Sequence, residues 1–427
     1  MFTKEKETDT EVVSAELPEF DFAGAAERLK DVVLKTPLQY NTNLSKKYGA
    51  NIYFKREDLQ VVRSYKLRGA YNKMKTLSAE QMKHGVVCAS AGNHAQGFAY
   101  CCRLLRIKGT VFMPVITPGQ KISHTKMFGE DYVDVKLVGD SYDACAAAAH
   151  EYEKQTGMVY IPAFDDLKVI EGQGTVGVEI LKELSGVDYI FIPVGGGGLA
   201  SGVGSFFKKN SPETKVIGVE PQGAPSLYKA LEQGKPVTLA NIDTFVDGAS
   251  VKRTGDLTFE ICKEVLDDLK LVPEGKVCSV LLQLYNEDAI VAEPAGTLSV
   301  AVLDDYADEI KGKNVVCIIS GGNNDISRTA EMQERALVYE GLKHYFLINF
   351  AQRPGALKEF VNNVLTENTD IALFEYVKKN NRESGPALVG IELKYQSDYH
   401  QLIQNMKSHK VGYRELKNME TEFRYLV

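Results

Sequence analysis

The sequence predicts a mixed α/β fold with open parallel sheets in two subdomains, followed by a small ferredoxin-like unit. Short apolar runs alternate with helix-like stretches from residue 20 to about residue 340, and several of the runs are apolar throughout. Runs of that kind are typical of parallel strands buried on both faces. Regular strand–helix alternation is typical of an open α/β sheet.

The predicted strands of the first region are short and are separated by helical patterns such as residues 141–156 and 298–310. They are Asn51–Arg56, Val86–Ser90, Thr110–Pro114, Tyr132–Val138, Val159–Pro162, Tyr189–Val194, Val216–Val219 and Val315–Ser320. In open parallel sheets, ligands bind beyond the carboxyl ends of the strands. Functional residues are therefore expected at those ends.

The order of elements changes near Tyr339 to strand, helix, strand, strand, helix, strand. The segments are His344–Phe350, Pro354–Thr366, Ile371–Lys378, Ala387–Lys394, Asp398–His409 and a final short strand. This βαββαβ order is typical of a ferredoxin-like unit. We expect a disordered tail over residues 1–19, a catalytic domain over 20–338, and a regulatory or assembly domain over 339–427.

Composition narrows the class of protein. The chain has 427 residues, of which 44% are hydrophobic and 25% charged, and a formal charge of −7. These values are typical of a soluble enzyme of two or three domains, and the scattered lysines and arginines argue against nucleic-acid binding. No apolar stretch approaches the roughly 20 residues that span a membrane. Seven cysteines in apolar runs, without a metal-binding motif or a signal peptide, predict reduced thiols and a cytoplasmic protein.

The segment from Ser64 to Ala70, Ser-Tyr-Lys-Leu-Arg-Gly-Ala, contains the candidate catalytic lysine. Ser64 is expected to cap a helix over residues 65–77, which places Lys66 in the first turn. The positive helix end and partial burial lower the pKa of an amine there, as imine formation requires. The alternative is a solvated surface lysine, which describes most lysines in any chain.

Two strand ends are followed by turns that suit an anion. Ser90-Ala91-Gly92-Asn93 leads into a helix over residues 94–105, and the first N–H groups of a helix are free to bind negative charge. The Asn93 amide can hydrogen-bond a phenolate oxygen, or can simply cap that helix. Gly195-Gly196-Gly197-Gly198-Leu199 follows a buried strand directly, so its N–H groups can surround a phosphate. It is neither a dinucleotide fingerprint nor a Walker loop.

A third strand end is followed by Ser320-Gly321-Gly322-Asn323. The Ser320 hydroxyl can hydrogen-bond a ring nitrogen, although an ordinary turn is an alternative interpretation. Together the four segments supply an amine, a phosphate cradle, an amide and a hydroxyl. Pyridoxal 5′-phosphate needs this combination of contacts from its protein.

These four motifs, in this order and spacing, resemble those of the threonine dehydratase family, which are fold-type II pyridoxal-phosphate enzymes. The resemblance covers nearly the whole chain from residue 20. It implies that Lys66 forms the Schiff base with the cofactor, that Asn93 contacts the ring hydroxyl and that Ser320 faces the pyridine nitrogen. The phosphate is then bound by Gly195, Gly196, Gly197, Gly198 and Leu199, and the substrate carboxylate by Ser90, Ala91, Gly92 and Asn93.

The resemblance also implies an activity and its regulation. It implies the deamination of L-threonine to 2-oxobutanoate and ammonia, the first committed step of isoleucine biosynthesis, by a homotetramer. Arg353-Pro354-Gly355-Ala356-Leu357 resembles the motif of an ACT-like regulatory domain, in which isoleucine is the expected inhibitor. The chain has room for one such unit. In the ordinary interpretation the same motif opens the first helix of the unit, with Pro354 near the first helical position.

Three alternatives remain at this point. The chain could be a catabolic threonine or serine dehydratase, a serine racemase, or a non-catalytic amino-acid sensor. Serine racemase-like members place a cation near a Glu-x-x-x-Ala-x-Asp segment, but here Ser226 replaces the second carboxylate after Glu220, so no metal site is predicted. Glu171 and Glu293 precede small residues and are interpreted as helix caps, with cofactor contact as the alternative.

Overall fold

The computed structural model describes residues 17–376 and 384–416. The chain divides into two compact units, one comprising residues up to 274 and 283–324, the other residues 275–282 and 325 onward. Residues 1–16 of the predicted tail lie outside the described part. The structural division falls at residue 324, whereas the predicted domain boundary is residue 339, and the extents of the functional domains stay predictions.

The first unit is built on two sheets. Its strands are β1 (Leu38–Tyr40), β2 (Asn51–Arg56), β3 (Val86–Ala89), β4 (Gly109–Met113), β5 (Val133–Leu137), β6 (Val159–Tyr160), β7 (Tyr189–Pro193), β8 (Lys215–Pro221), β9 (Asp268–Val272) and β10 (Asn314–Ile319). The larger sheet has the order β1-β2-β10-β7-β8-β9 and is parallel except for β1. The smaller sheet, β5-β4-β3-β6, is parallel throughout. Two open parallel sheets confirm the predicted fold class.

Helices follow almost every strand. They are α1 (Phe22–Leu29), α2 (Thr42–Tyr48), α3 (Lys66–Lys75), α4 (Ala79–His84), α5 (Asn93–Leu105), α6 (Gly119–Gly129), α7 (Tyr142–Thr156), α8 (Leu167–Glu183), α9 (Gly198–Asn210), α10 (Ser226–Gln233), α11 (Asp256–Val265), α12 (Glu274–Asp288) and α13 (Pro294–Ala301). The helix predicted over residues 298–310 is wrong in its bounds, because α13 ends at Ala301 and a 3₁₀ turn follows over Leu303–Tyr306. No helix of the described ranges is long and apolar enough to cross a membrane.

Helix α8 packs against both α3 and α9, which carry two of the predicted motifs. A β-carbon on Gly172 would lie 2.6 Å from the backbone oxygen of Arg68, and one on Gly202 would lie 2.3 Å from that of Ile170. The small residues of α8 and α9 therefore let the three helix backbones approach closely. This packing fixes the starts of α3 and α9 relative to each other.

The second unit contains one antiparallel sheet. Its elements are α14 (Thr329–Tyr339), β11 (Lys343–Ala351), α15 (Ala356–Asn363), β12 (Thr369–Tyr376), β13 (Ser384–Leu393), α16 (Asp398–Ser408) and β14 (Gly412–Glu415). The strand order β12-β13-β11-β14 is the ferredoxin-like arrangement, which confirms the prediction. Residues 377 and 378 of the predicted second strand lie outside the described part.

The Arg-Pro-Gly-Ala-Leu motif opens α15, as predicted, but the helix starts two residues after the predicted Pro354. The helix begins at Ala356, and Gly355 precedes it with a φ of +88°. Pro354 therefore lies before the helix rather than at its first position. The Arg353 guanidinium is exposed and makes two hydrogen bonds to the carboxylate of Glu359, at 2.8 and 2.6 Å.

Candidate cofactor site

Lys66 is the first residue of α3, as the predicted position in the first turn requires. The start of the helix is fixed to the end of β10, since the Tyr65 N–H donates to the Ser320 carbonyl at 3.2 Å and Ser64 forms a bridge with Gly321. The predicted capping by Ser64 is wrong. Its hydroxyl is fully buried and has no hydrogen-bond partner, because the Ser64 backbone is extended beside Gly321 instead of turning into the helix.

The Lys66 amine donates to a backbone carbonyl rather than to a carboxylate. Its Nζ lies 2.9 Å from the oxygen of Ala163. Burial lowers the pKa of Lys66 to about 8, although the charge of Glu293 acts in the opposite direction. At this pKa roughly a tenth of the amine is unprotonated at pH 7, far more than for an ordinary lysine. The site therefore provides a nucleophilic amine.

A buried ion network is centred on Arg68, in the same helix as this lysine. The Arg68 guanidinium, two residues further on, donates at 2.8 Å to both carboxylate oxygens of Glu57 and at 2.7 and 3.0 Å to those of Glu179. Lys55 also donates to Glu179, at 2.5 Å. Burial alone would raise the pKa of Glu57, but Arg68 lowers it below its usual range. These charges fix the first turn of α3 to β2 and α8.

The predicted Asn93 lies at the first position of α5 and does not cap it. The Ser90 hydroxyl serves that end instead, accepting from the N–H groups of Gly92 at 3.2 Å and Ala95 at 3.3 Å. The Asn93 amide nitrogen donates to Glu293 Oε1 at 2.6 Å, and its oxygen accepts from the amide of Asn323 at 2.7 Å. Both the nitrogen and the oxygen of this amide are therefore held by hydrogen bonds.

The four glycines of Gly195–Gly198 lead into α9, whose first N–H groups have no partner within the helix. A β-carbon on Gly196 would lie 2.3 Å from the Phe164 ring, and one on Gly198 would lie 2.9 Å from Phe164 Cβ. Leu199 packs its side chain into the core and is 2% exposed. Close packing therefore excludes side chains at Gly196 and Gly198, and the turn offers only backbone groups to a phosphate.

Sequence reasoning missed the segment between β6 and α8, which joins the lysine to this turn. Ala163 accepts from Lys66, and Phe164 packs against the glycines. The Asp165 carboxylate then accepts from the N–H of Thr258, whose hydroxyl donates to the oxygen of Gly196 at 2.6 Å. The segment matches no catalytic motif in the sequence, and Ala163 acts only through its backbone. Only the fold reveals it.

The contacts of His94 and Glu171 show a structural role for both residues. His94 is a buried histidine whose Nε2–H donates to the Ile161 carbonyl at 2.9 Å, and burial lowers its pKa to about 3, so the ring is neutral. Glu171 lies inside α8 rather than at its start. Its carboxylate pairs with the Arg28 guanidinium at 2.7 Å. Its interpretation as a helix cap is therefore wrong.

Glu293 precedes α13 but makes no capping hydrogen bond with its side chain. It is 4% exposed and accepts from Asn93 instead. Burial raises the pKa of its carboxyl to about 8, and the charge of Asp247 adds to the effect. The capping interpretation of Glu293 is wrong too, and the residue belongs to the site.

The Glu220 carboxylate is hydrogen-bonded by residues that follow it closely in the chain. Its carboxylate accepts from the N–H groups of Leu227 and Tyr228, both at 2.8 Å, and from the Ser226 hydroxyl at 3.4 Å. Burial raises the pKa of Glu220 to about 8. Within residues 17–376 and 384–416, no group of three or more histidine, cysteine, aspartate or glutamate side chains is able to hold a metal.

The residues present fit pyridoxal phosphate. Lys66, at the start of α3, is connected through its neighbour Tyr65 to Ser320, which is 3% exposed at the end of β10. The glycine turn, where close packing excludes side chains, is connected to the same lysine through Ala163 and Phe164. An amine of lowered pKa, a bare backbone turn and a buried hydroxyl are the groups that this cofactor requires.

Two family models match the chain. Residues 29–321 match the model described as pyridoxal-phosphate dependent enzyme. Residues 334–426 match the model described as C-terminal regulatory domain of threonine dehydratase. The first covers more than half of the chain. The fold and the site therefore define a pyridoxal-phosphate-dependent enzyme with a regulatory domain.

Individual relatives narrow this class. The chain is 54% identical over 95% of its length to a biosynthetic L-threonine dehydratase IlvA of Halalkalibacterium halodurans, covering 98% of that protein. It is 56% identical over 94% of its length to the IlvA of Bacillus subtilis, covering 96% of it. A processed threonine deaminase of Solanum lycopersicum has 40% identity and a TM-score of 0.70, over 77% of this chain and 99% of that one. The chain belongs to the biosynthetic threonine dehydratase family.

Proposed function

We propose that this chain deaminates L-threonine to 2-oxobutanoate and ammonia with pyridoxal phosphate bound at Lys66. The observation that carries the proposal is the Lys66 amine, which lies at the start of α3, faces a carbonyl and has its pKa lowered to about 8. The family to which the chain belongs supports the same activity. The reaction makes the chain a threonine ammonia-lyase.

When bound, pyridoxal phosphate supplies an electron sink that makes the proton on the substrate Cα acidic. The Lys66 amine would hold the cofactor, and its free form would accept the proton from the substrate Cα. The pKa of about 8 suits this exchange, because the amine must be unprotonated to act as a base near neutral pH.

The remaining residues bind and orient. The backbone N–H groups from Gly195 to Leu199 bind the phosphate at the start of α9, and the turn from Ser90 to Asn93 binds the substrate carboxylate at the start of α5. Ser320 presents a hydroxyl to the ring nitrogen. A hydroxyl there would not force a proton onto that nitrogen, as a carboxylate would.

Substitution of Lys66 tests the proposal. We expect purified Lys66→Ala to lack the absorbance band of a protein-bound imine. Its rate of threonine turnover is expected to fall about a thousandfold or more. Lys73→Ala, on the same helix, is the matched control, since its amine pairs with Asp166 at 2.6 Å on the side of α8. Ordinary turnover by Lys66→Ala would overturn the proposal.

Regulation, assembly and location extend the proposal. Isoleucine is the inhibitor and binds the second unit, the active form is a homotetramer, and the protein is cytoplasmic. The matched regulatory domain supports an effector site in the second unit. The burial of all seven cysteine side chains supports a reducing compartment. Threonine turnover is expected to fall on addition of isoleucine, and truncation before α14 is expected to remove that response.

The catabolic and racemase alternatives are less well supported. Maize serine racemase has a TM-score of 0.69 but only 28% identity, over 74% of this chain and 97% of that one. Relatives named biosynthetic threonine dehydratase share 54–56% of their residues with the chain and extend through the regulatory domain. Formation of D-serine from L-serine at a rate comparable with threonine deamination would favour the racemase.

A further inference from the structure

We infer that Glu293 and Asn323 are positioning residues that hold the Asn93 amide with one N–H directed toward the cofactor ring hydroxyl. The inference rests on the proposed function, in which Asn93 contacts that hydroxyl. It adds two residues from other parts of the fold, each of which contacts the Asn93 side chain directly.

The hydrogen bonds decide which way the amide faces. The Asn93 atom that faces the Glu293 carboxyl at 2.6 Å is the amide nitrogen, and the contact at the other end of the amide fixes this orientation. The Asn323 amide nitrogen donates to the Asn93 oxygen at 2.7 Å and to the Val62 carbonyl at 2.9 Å. The Val62 carbonyl can only accept, so the Asn323 atom facing it is the nitrogen, and the Asn93 atom facing that nitrogen is therefore the oxygen. Asn93 therefore retains one N–H that neither neighbour uses.

The three residues come from three separate elements. Asn93 begins α5, which follows β3 of the smaller sheet, whereas Glu293 precedes α13 and Asn323 follows β10 of the larger sheet. The backbone N–H of Asn323 also donates to the Glu293 carboxyl. The cluster therefore closes on itself and connects the two sheets at their carboxyl ends, where ligands of open sheets bind.

Two glycines leave room for this cluster. A β-carbon on Gly321 would lie 2.2 Å from Glu293 Oε1 and 3.3 Å from the Asn93 amide nitrogen. Gly248, with a φ of +91°, passes the other side, where a β-carbon would lie 3.6 Å from the same carboxyl oxygen. Backbone therefore encloses the Asn93–Glu293 hydrogen bond, and Glu293 at 4% exposure has little access to solvent.

A double-mutant cycle on the holoenzyme tests the inference through cofactor binding. The dissociation constant of pyridoxal phosphate and the position of its absorbance band are measured for Glu293→Ala, Asn93→Ala and the double variant. We expect each single variant to weaken cofactor binding on the order of tenfold and to shift the band alike. The double variant is expected to equal Asn93→Ala, because Glu293 acts through that amide. The exposed Glu213, on the loop before β8, provides the control Glu213→Ala.

Two further variants keep the test decisive. Glu293→Gln retains an oxygen acceptor of the same size and is expected to recover most of the affinity lost in Glu293→Ala. If Glu293→Ala does not fold, Asn323→Ala removes the other contact of the same amide and enters the same cycle. Additive losses in the double variant would overturn the inference while leaving the role of Asn93 intact. An unchanged band in Asn93→Ala would overturn both, whereas absent threonine turnover with an intact cycle would overturn only the proposed reaction.

Discussion

The two units begin a helix in the same way but in different surroundings. Gly197 precedes α9 with a φ of +92°, and Gly355 precedes α15 with a φ of +88°. A β-carbon on Gly197 would lie 2.9 Å from the β-carbon of Thr258, whereas one on Gly355 would meet nothing within 4 Å. The same backbone conformation is therefore tightly packed in the first unit and open in the second.

The two units also contain lysines with contrasting partners. Lys66 donates to a carbonyl, and burial lowers its pKa to about 8. Lys343 lies 2.6 Å from Glu334 and 3.0 Å from Glu392, and although burial acts against it, these carboxylates raise its pKa. Burial alone therefore does not make a lysine reactive. The Lys66 amine has no carboxylate partner at hydrogen-bond distance, whereas the Lys343 amine forms ion pairs with two carboxylates.

Alanine at the two glycines is the substitution with the largest expected difference. Both changes strain the left-handed backbone by about 1 kcal/mol. Gly197→Ala also displaces Thr258, whose hydroxyl holds the Gly196 carbonyl at 2.6 Å, so the phosphate turn shifts. We expect about a hundredfold weaker binding of pyridoxal phosphate for Gly197→Ala and unchanged binding for Gly355→Ala, measured by titrating the apoenzyme. Equal cofactor affinities of the two variants would show that the packing of Gly197 against Thr258 does not affect cofactor binding.

The rate of cofactor capture should report the pKa of Lys66. Only the unprotonated amine attacks pyridoxal phosphate, and burial disfavours the protonated form, so the pKa falls. The second-order rate constant of apoenzyme with cofactor is therefore expected to rise about tenfold per pH unit up to about pH 8 and then to level off.

Borohydride reduction and peptide mapping are the matched measurement. At pH 8 the peptide that contains Lys66 is expected to carry the reduced cofactor adduct. The peptide that contains Lys343 is expected to carry none, since the pKa of Lys343 is raised. A rate that continued to climb beyond pH 9 would indicate an ordinary lysine. It would then remove the contrast between the two units.

The fold was largely predictable from the sequence, because buried parallel strands are continuous apolar runs. Val86–Ala89 and Asn314–Ile319 were found within a residue of their ends for this reason. Two strands were missed. Leu38–Tyr40 is short and half exposed, and Asp268–Val272 alternates polar and apolar residues at the edge of the sheet. Edge strands lack the two-sided burial that the pattern detects.

The candidate site was predictable where backbone geometry demands a residue type. The glycine turn and the lysine at the start of a helix leave traces of that kind in the sequence. Ala163 leaves none, because its contribution is a carbonyl oxygen. Glu293 was noticed but interpreted as a cap, since only the fold brings it within 2.6 Å of Asn93, two hundred residues away.

Removal of the Lys343 charge is expected to have the smallest effect and to be purely structural. Lys343→Ala leaves Glu334 and Glu392 without their shared cation, but Glu392 is 42% exposed and Glu334 keeps a hydrogen bond from the Tyr345 hydroxyl at 2.5 Å. The free energy of unfolding should therefore fall by about 1–2 kcal/mol rather than by the larger cost of breaking a fully buried pair.

Lys343→Met, which keeps the buried stem, should lose less of this free energy than Lys343→Ala. Urea denaturation followed by circular dichroism measures both variants, and Glu392→Gln is the control for removal of one exposed partner. Threonine turnover without isoleucine should stay at the level of the unmodified protein, because the stabilising charge lies outside the proposed site. A turnover defect in a fully folded Lys343→Met would mean that the two lysines are not separable in function, and that the paired amine of the second unit also serves the reaction.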